Sequence, residues 1–272
     1  MTRAFSVRRV SGRDAERVID QVAEEEPLAI LVKHWQKDAC VTESMAVTMR
    51  TPGHDKELAA GLLLSEGVIR RREDLKDVRR LGSEPSNEVL VELAQGVDFE
   101  AWRLARNGFL SSSCGVCGKR TLESVRPEMP PVEADQFRVA AEIVHDLPAG
   151  LREHQKEFAE TGGLHAAALV TVSGEIEAVF EDIGRHNALD KLIGWATLNA
   201  RTPLRERILF LSSRGSFELV QKAAMSGAPM LATVGGPSSL AIETARELQM
   251  TLVGFVRDGR FNVYAGEWRI NG

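Results

Sequence analysis

The residues of this chain with the clearest capacity for chemistry are two cysteines three positions apart, Cys114 and Cys117. They lie in the segment Ser-Ser-Ser-Cys-Gly-Val-Cys-Gly-Lys over 111–119, which lacks the apolar run of a core element. The segment therefore predicts an accessible loop that presents two sulfur atoms. Lys119 and Arg120 follow the pair, and their positive charge favours the thiolate that a nucleophile or a sulfur carrier needs.

The cysteine spacing alone leaves other uses open. A zinc site needs four ligands, and because Cys40 is distant in the sequence, His165 and His186 would have to complete it. A zinc-dependent nucleoside deaminase places His-x-Glu before Pro-Cys-x-x-Cys, whereas here the cysteines precede His165 and alanines follow it. A dithiol–disulfide switch needs the same spacing as sulfur transfer. Thiol chemistry, a redox switch and a zinc site all remain possible at this point.

Polar and small residues further along the chain predict a ligand for the sulfurs to act upon. The segment 181–187, at the exit of a predicted strand, holds two carboxylates, an arginine, a histidine and an asparagine. The loops 212–216 and 235–239 each join a predicted strand to a predicted helix, and their small side chains let an anion approach backbone amides. We therefore predict a phosphate-bearing ligand, such as a nucleotide. The arginines that would add positive charge are Arg214, Arg257 and Arg260.

Hydrophobic periodicity predicts two domains with different rhythms, an α+β domain over 1–110 and an α/β domain over 111–272. In the second, strand–loop–helix–strand occurs twice between 208 and 256, which predicts right-handed βαβ units, a parallel sheet and helices on its faces. The predicted strands are 4–10, 28–32, 45–49, 88–93, 166–172, 176–180, 208–211, 230–234, 252–256 and 261–264. The predicted helices are 55–65, 99–106, 137–147 (ended by Pro148-Ala149-Gly150), 151–158, 188–198 (capped by Asn187), 217–225 and 240–248.

Bulk properties exclude several classes of protein. The net charge of −5 argues against a general nucleic-acid binder. No run approaches the roughly 18 apolar residues of a membrane span, and the N-terminus has no apolar signal-peptide core. Three cysteines do not form a secreted disulfide framework, and Cys40 is expected to be a buried small hydrophobic residue. We therefore expect a cytoplasmic protein.

Four segments together carry a family resemblance. They read Ser-Ser-Cys-Gly-Val-Cys-Gly-Lys (112–119), Thr-Gly-Gly-Leu-His (161–165), Asp-Ile-Gly-Arg-His-Asn-Ala-Leu-Asp-Lys (182–191) and Leu-Val-Gly-Phe-Val-Arg (252–257). They resemble the formate dehydrogenase accessory sulfurtransferase family, FdhD, and the resemblance covers nearly the whole chain.

The resemblance implies a function that spacing cannot give. Such a protein takes persulfide sulfur from a cysteine desulfurase and passes it to the molybdenum (or tungsten) bis-molybdopterin guanine dinucleotide cofactor before that cofactor enters formate dehydrogenase. It implies that Cys114 holds the persulfide, that Cys117 assists or shares it, and that no protein-bound catalytic metal is needed. It also implies a homodimer and a C-terminal domain resembling the cytidine deaminase fold, which agrees with the three-layer α/β/α domain that the βαβ units predict.

The residues expected to bind the cofactor are drawn from the family resemblance and from the anion-suited loops. They are Phe255, Val256, Arg257, Asp258, Gly259, Arg260, Arg214, Ser238, Asp182 and His186. An alternative without catalysis stays open, a chaperone that only binds the molybdenum cofactor and uses its cysteine pair for docking or redox control.

Overall fold

A computed structural model describes residues 2–37, 39–83, 86–99, 129, 132, 136–257 and 259–272 of the chain. The described residues form a mixed α/β fold, so the predicted α/β class is confirmed. The likeness to the cytidine deaminase fold stays a prediction. None of the helices in the described ranges is long and apolar enough to cross a bilayer.

Within the described residues, the N-terminal part contains a two-stranded ribbon, a four-stranded sheet and one α-helix. Its sheet has the order β4-β3-β6-β5, in which β3 runs parallel to β6 and antiparallel to β4. The elements are β1 (Thr2–Ser11), β2 (Asp14–Ala23), β3 (Glu26–Gln36), β4 (Ala39–Arg50), α1 (Asp55–Ser65), β5 (Leu75–Arg80) and β6 (Glu88–Leu93).

The C-terminal part is built on a six-stranded sheet. The elements before and within its first half are β7 (Val139–Ala140), α2 (Ala141–His154), α3 (Lys156–Thr161), β8 (His165–Thr171), β9 (Ile176–Asp182) and α4 (Arg185–Leu198). The remaining elements are β10 (Arg207–Leu211), α5 (Phe217–Met225), β11 (Met230–Thr233), α6 (Ser239–Glu247), β12 (Thr251–Arg257), β13 (Arg260–Ala265) and β14 (Ile270–Asn271).

The six strands lie in the order β13-β12-β11-β10-β8-β9. Strands β10, β11 and β12 are parallel and are linked through α5 and α6, which confirms the two predicted βαβ units. The sheet as a whole is mixed, because β8, β9 and β13 pair antiparallel with their neighbours. Strands β8 and β10 are buried almost throughout, as their uninterrupted apolar sequences require of strands covered on both faces.

The two parts of the chain meet where α1 packs along α4. Gly61 and Gly194 face each other at this contact, and an added Cβ on either glycine would lie 1.8 Å from a carbonyl oxygen of the opposite helix. The absence of side chains lets the two backbones approach closely. One continuous cluster of buried apolar residues extends through both parts. The predicted domain boundary at 110/111 and the helix predicted over 99–106 lie outside the described residues, except for Phe99.

Three helix predictions in the C-terminal part were wrong. The separate helix predicted over 151–158 does not form, because residues 151–154 belong to α2 and α3 spans Lys156–Thr161. Helix α2 does not end at Pro148 but runs through it to His154, because buried Val144, Leu147 and Leu151 hold its apolar face on the protein despite the missing proline amide. Helix α4 begins at Arg185, so Asn187 is not its cap. The buried Asn187 side chain instead donates to the Met49 carbonyl at 2.8 Å.

Candidate functional site

A pocket of about 450 Å³ opens at the edge of the six-stranded sheet where the parallel strands end. Ser212 and Val234 line it just after β10 and β11, and Val256 and Arg257 line it at the end of β12. Ligands of open α/β sheets bind at the carboxyl ends of parallel strands. The pocket is therefore the candidate ligand site.

The walls of the pocket combine positive charge with apolar and small side chains. Arg152 of α2 and Arg257 of β12 both line it, and both are exposed. Leu151 and Phe158 add apolar surface, and Gly163 adds a position without a side chain. An apolar cleft with a few convergent polar groups suits a small molecule, and two guanidinium groups favour an anionic one.

His165 lies in the pocket wall at the start of β8. Burial lowers the pKa of this imidazole, and the neighbouring Arg185 and His186 side chains lower the pKa further. Since protonation is lost as the pH rises through that lowered pKa, His165 is neutral at neutral pH. It offers a ligand a hydrogen bond and not a charge.

Asp182, which was predicted to contact the ligand, is fully buried. Its Oδ1 accepts hydrogen bonds from the Gly184 amide at 2.8 Å and from Asn187 at 3.0 Å. Its Oδ2 accepts from the Thr51 amide at 3.1 Å and lies 2.7 Å from Nζ of Lys191. With protein partners on both oxygens, Asp182 fixes the start of α4 and the turn after β4.

His186 sits where the beginnings of α4 and α5 meet and is only 8% exposed. Its Nε2 lies 3.0 Å from Oε2 of Glu218 and 3.5 Å from Oγ of Ser216. The sequence did not single out Glu218, although an acidic residue in the first turn of a helix that follows a small-residue loop is a usable signal.

The two small-residue loops are bonded to each other. The Gly235 amide donates to the Ser213 carbonyl at 3.0 Å, and the Ser238 amide donates to the Gly215 carbonyl at 2.9 Å. The hydroxyl of Ser238 caps α6 by accepting from Ala241. These contacts give both loops a packing role, whereas the prediction of anion binding at their helix N-termini stays a prediction.

The segment 255–260 contains a strained residue next to the pocket. Phe255 has a φ of 55°, a left-handed conformation that is rare for an aromatic residue, at an irregularity between β12 and β13. A Cβ on Gly236 would lie 2.6 Å from the Phe255 ring, so the glycine makes room for it. The guanidinium of Arg257 lies 5.5 Å from the centroid of the same ring.

The structure brings together only part of the predicted site. Val256 and Arg257 line the pocket, whereas exposed Arg214 and Arg260 do not belong to its lining. Gly259 is exposed with a φ of 70°. Cys114, Cys117 and Asp258 lie outside the described residues.

Two further findings concern the exposure of Cys40 and the possibility of a metal site. Cys40 is a free, exposed thiol, so the prediction of a buried residue was wrong. Within the described ranges, no three residues among His, Cys, Asp and Glu are grouped so that they could hold a metal ion.

Comparisons with known proteins agree across nearly the whole chain. A family model described as FdhD/NarQ matches residues 23–271. A sulfur carrier protein FdhD of Streptomyces coelicolor is 47% identical over 92% of this chain and 89% of its own length. The proteins of the same name from Mycolicibacterium paratuberculosis and Sulfurisphaera tokodaii are 46% and 40% identical, over 97% and 92% of this chain and 98% and 92% of theirs.

A solved structure shares the fold. The crystal structure of a candidate formate dehydrogenase accessory protein from Desulfotalea psychrophila matches with a TM-score of 0.74 over 99% of both chains, at 21% identity. Because the family model and the relatives each span most of the sequence, the chain belongs to the FdhD/NarQ family.

Proposed function

We propose that this protein is a sulfur carrier that takes persulfide sulfur from a cysteine desulfurase and delivers it to the molybdenum bis-molybdopterin guanine dinucleotide cofactor. The observation that carries the proposal is the 40–47% identity to proteins named sulfur carriers, over at least 92% of this chain. The Cys114-Gly115-Val116-Cys117 pair supplies the thiol chemistry that such a role needs.

The first step is a thiolate exchange at sulfur. The Cys114 thiolate attacks the terminal sulfur of the desulfurase persulfide and forms a new S–S bond. The old S–S bond breaks, and the desulfurase cysteine leaves as a thiolate. Lys119 and Arg120, close in sequence, favour the attacking thiolate by their charge. Cys117 assists Cys114 or shares the sulfur that Cys114 has accepted.

In this proposal the pocket at the sheet edge receives the acceptor. Its volume of about 450 Å³ lies in the range of pockets for drug-sized ligands, so it suits one nucleotide end of the dinucleotide and not the whole cofactor. Arg152 and Arg257 would meet phosphate groups, and neutral His165 would donate or accept a hydrogen bond. The cofactor would be the substrate of the transfer and not a resident group of the protein.

The remaining parts of the proposal follow from the resemblance. Formate dehydrogenase is the recipient of the sulfurated cofactor, and the carrier works as a cytoplasmic homodimer. The N-terminal domain spans 1–110, and the C-terminal domain, over 111–272, begins with the cysteine loop.

Replacing Cys114 with alanine is expected to abolish sulfur loading. Wild-type protein incubated with a cysteine desulfurase and ³⁵S-labelled cysteine should retain label that reducing agent removes, and Cys114→Ala should retain none. Cys40→Ala is the matched control, because it removes an exposed thiol far from the cysteine pair in sequence. Full labelling of Cys114→Ala would reject the assignment, and an unlabelled wild type would favour a chaperone that only binds the cofactor.

Replacing Arg257 with alanine is expected to weaken nucleotide binding. The loss of one charge-assisted hydrogen bond to phosphate should raise the dissociation constant of GDP on the order of tenfold. Arg246→Ala is the control, because Arg246 also lies on the C-terminal domain but donates to the Tyr264 carbonyl and does not belong to the pocket lining. Isothermal titration calorimetry measures both. Equal affinity for GDP in Arg257→Ala and the wild type would remove the pocket from the proposal.

A further inference from the structure

Helix α3 is an unusually weakly packed wall for a ligand pocket. It has six residues, Lys156–Thr161, and none of them is buried. Yet Phe158 from its middle and Gly162 and Gly163 after its end all line the pocket. A helix this short does not form by itself in water, so contacts outside the helix must hold it in place.

One side chain from the sheet holds the beginning of α3. The two carboxylate oxygens of Glu181, on the edge strand β9, accept hydrogen bonds from the amides of Glu157 at 3.0 Å and Phe158 at 2.9 Å. These amides belong to the first turn of the helix, where no carbonyl of the helix can pair with them. The carboxylate also complements the positive end of the helix dipole.

The backbone that carries Glu181 is itself firmly anchored. Nζ of Lys191 lies 3.3 Å from the Glu181 carbonyl oxygen and 2.7 Å from the Asp182 carboxylate. By contrast, the main packing neighbour of α3 is β2, whose residues are mostly exposed. The carboxylate of Glu181 therefore ties the first turn of α3 to the rigid part of the fold.

We propose that Glu181 is a positioning residue whose carboxylate latches α3 against the sheet and so sets the shape and affinity of the pocket. With the latch made, Phe158 and the two glycines form one wall. Without it, α3 loses its anchor and the wall is lost. The inference rests on the proposed function in one respect, that the ligand of the pocket is a nucleotide.

Burial and hydrogen bonding act in opposite directions on the pKa of the Glu181 carboxylate. Desolvation raises the pKa of Glu181, and the nearby Glu157 carboxylate raises the pKa as well. The two amide hydrogen bonds act in the opposite direction and lower the pKa. Removing either backbone donor would leave a partly buried carboxylate oxygen without a hydrogen-bond partner, which costs stability. The latched arrangement, in which both donors are in place, is therefore favoured.

The test measures the latch and the pocket separately. Hydrogen–deuterium exchange of the ligand-free protein reports the protection of the Glu157 and Phe158 amides, and calorimetry reports the affinity for GDP. In Glu181→Ala, exchange at these amides should accelerate, and the dissociation constant should rise on the order of tenfold. Glu181→Gln keeps one carbonyl oxygen that can accept one amide, so both readouts should fall between those of Glu181→Ala and the wild type.

Glu177→Ala is the matched control. Glu177 lies on the same strand, but its carboxylate pairs with Arg207 at 2.7 Å and not with α3. Glu177→Ala should leave the exchange protection of the α3 amides and the affinity for GDP unchanged. Wild-type protection of α3 in Glu181→Ala would overturn the latch, and faster exchange with unchanged GDP affinity would overturn its link to the pocket. A wild type that does not bind GDP would contradict the proposed ligand, while faster exchange in Glu181→Ala would still support the latch.

Discussion

A single methyl group at position 61 should strongly destabilise the fold of this chain. An ideal Cβ on Gly61 would lie 1.8 Å from the carbonyl oxygen of Asp190, 2.7 Å from its carbonyl carbon and 2.8 Å from the amide nitrogen of Gly194. All three atoms are backbone, so no side-chain rotation relieves the overlap. Helices α1 and α4 would have to move apart, which breaks a contact shared by the two parts of the chain.

We expect Gly61→Ala to lower stability by about 4 kcal/mol or more, in the rare class of severe substitutions. At roughly 2–4 °C per kcal/mol for a chain of this size, the melting temperature should fall by about 10 °C or more. Gly194→Ala should behave alike, because its Cβ would lie 1.8 Å from the Glu57 carbonyl oxygen.

A second helical glycine provides the control for Gly61→Ala. Gly150 lies within α2, and an added Cβ there would meet only Cδ1 and Cγ1 of the Ile176 side chain, the nearer at 3.0 Å. Because a flexible side chain can move, Gly150→Ala should change the melting temperature little. Scanning calorimetry of the three variants checks the expectation. If Gly61→Ala and Gly150→Ala had the same melting temperature, the close approach of α1 and α4 would not be a constraint on this fold.

Sequence periodicity predicted the elements whose apolar residues face a core. The helix over 55–65 was predicted with its observed bounds, and so was the helix over 217–225, because each apolar face ends at a glycine signal. Strands β2 and β5 escaped prediction because charged residues interrupt their apolar pattern and little of either strand is buried. They are strands because they pair with β1 and β6, and this pairing can be seen only in the structure.

The candidate site was predictable only where one element carries it. Val256 and Arg257 were named through the family resemblance, which the continuous segment 252–257 carries, and both residues line the pocket. Arg152 was not named, since Pro148 was taken to end the helix that in fact carries Arg152 to the pocket. The Glu181 latch joins two amides to a carboxylate 23 and 24 residues away, and such pairs have no signature in sequence spacing.

Removing the charge of Lys191 is the second substitution expected to have a large effect. Lys191 is 1% exposed, and its Nζ is bonded to the Thr51 carbonyl at 2.9 Å besides its contact with Asp182. Lys191→Met keeps most of the side-chain volume but leaves the fully buried Asp182 carboxylate without its cation. Breaking one side of a buried ion pair typically costs about 3–5 kcal/mol, and we expect a loss of that size.

Because much of that loss would come from the unpaired carboxylate, neutralising it should restore part of the stability. The double variant Asp182→Asn with Lys191→Met should therefore unfold at a higher urea concentration than Lys191→Met alone. Asp77→Asn is the surface control. Its contact with Arg79 is shorter, at 2.6 Å, but both side chains are nearly half exposed, so its loss should cost less than about 1 kcal/mol. Urea midpoints rank the variants, and a Lys191→Met protein as stable as Asp77→Asn would contradict the view that burial, and not distance, sets the strength of this pair.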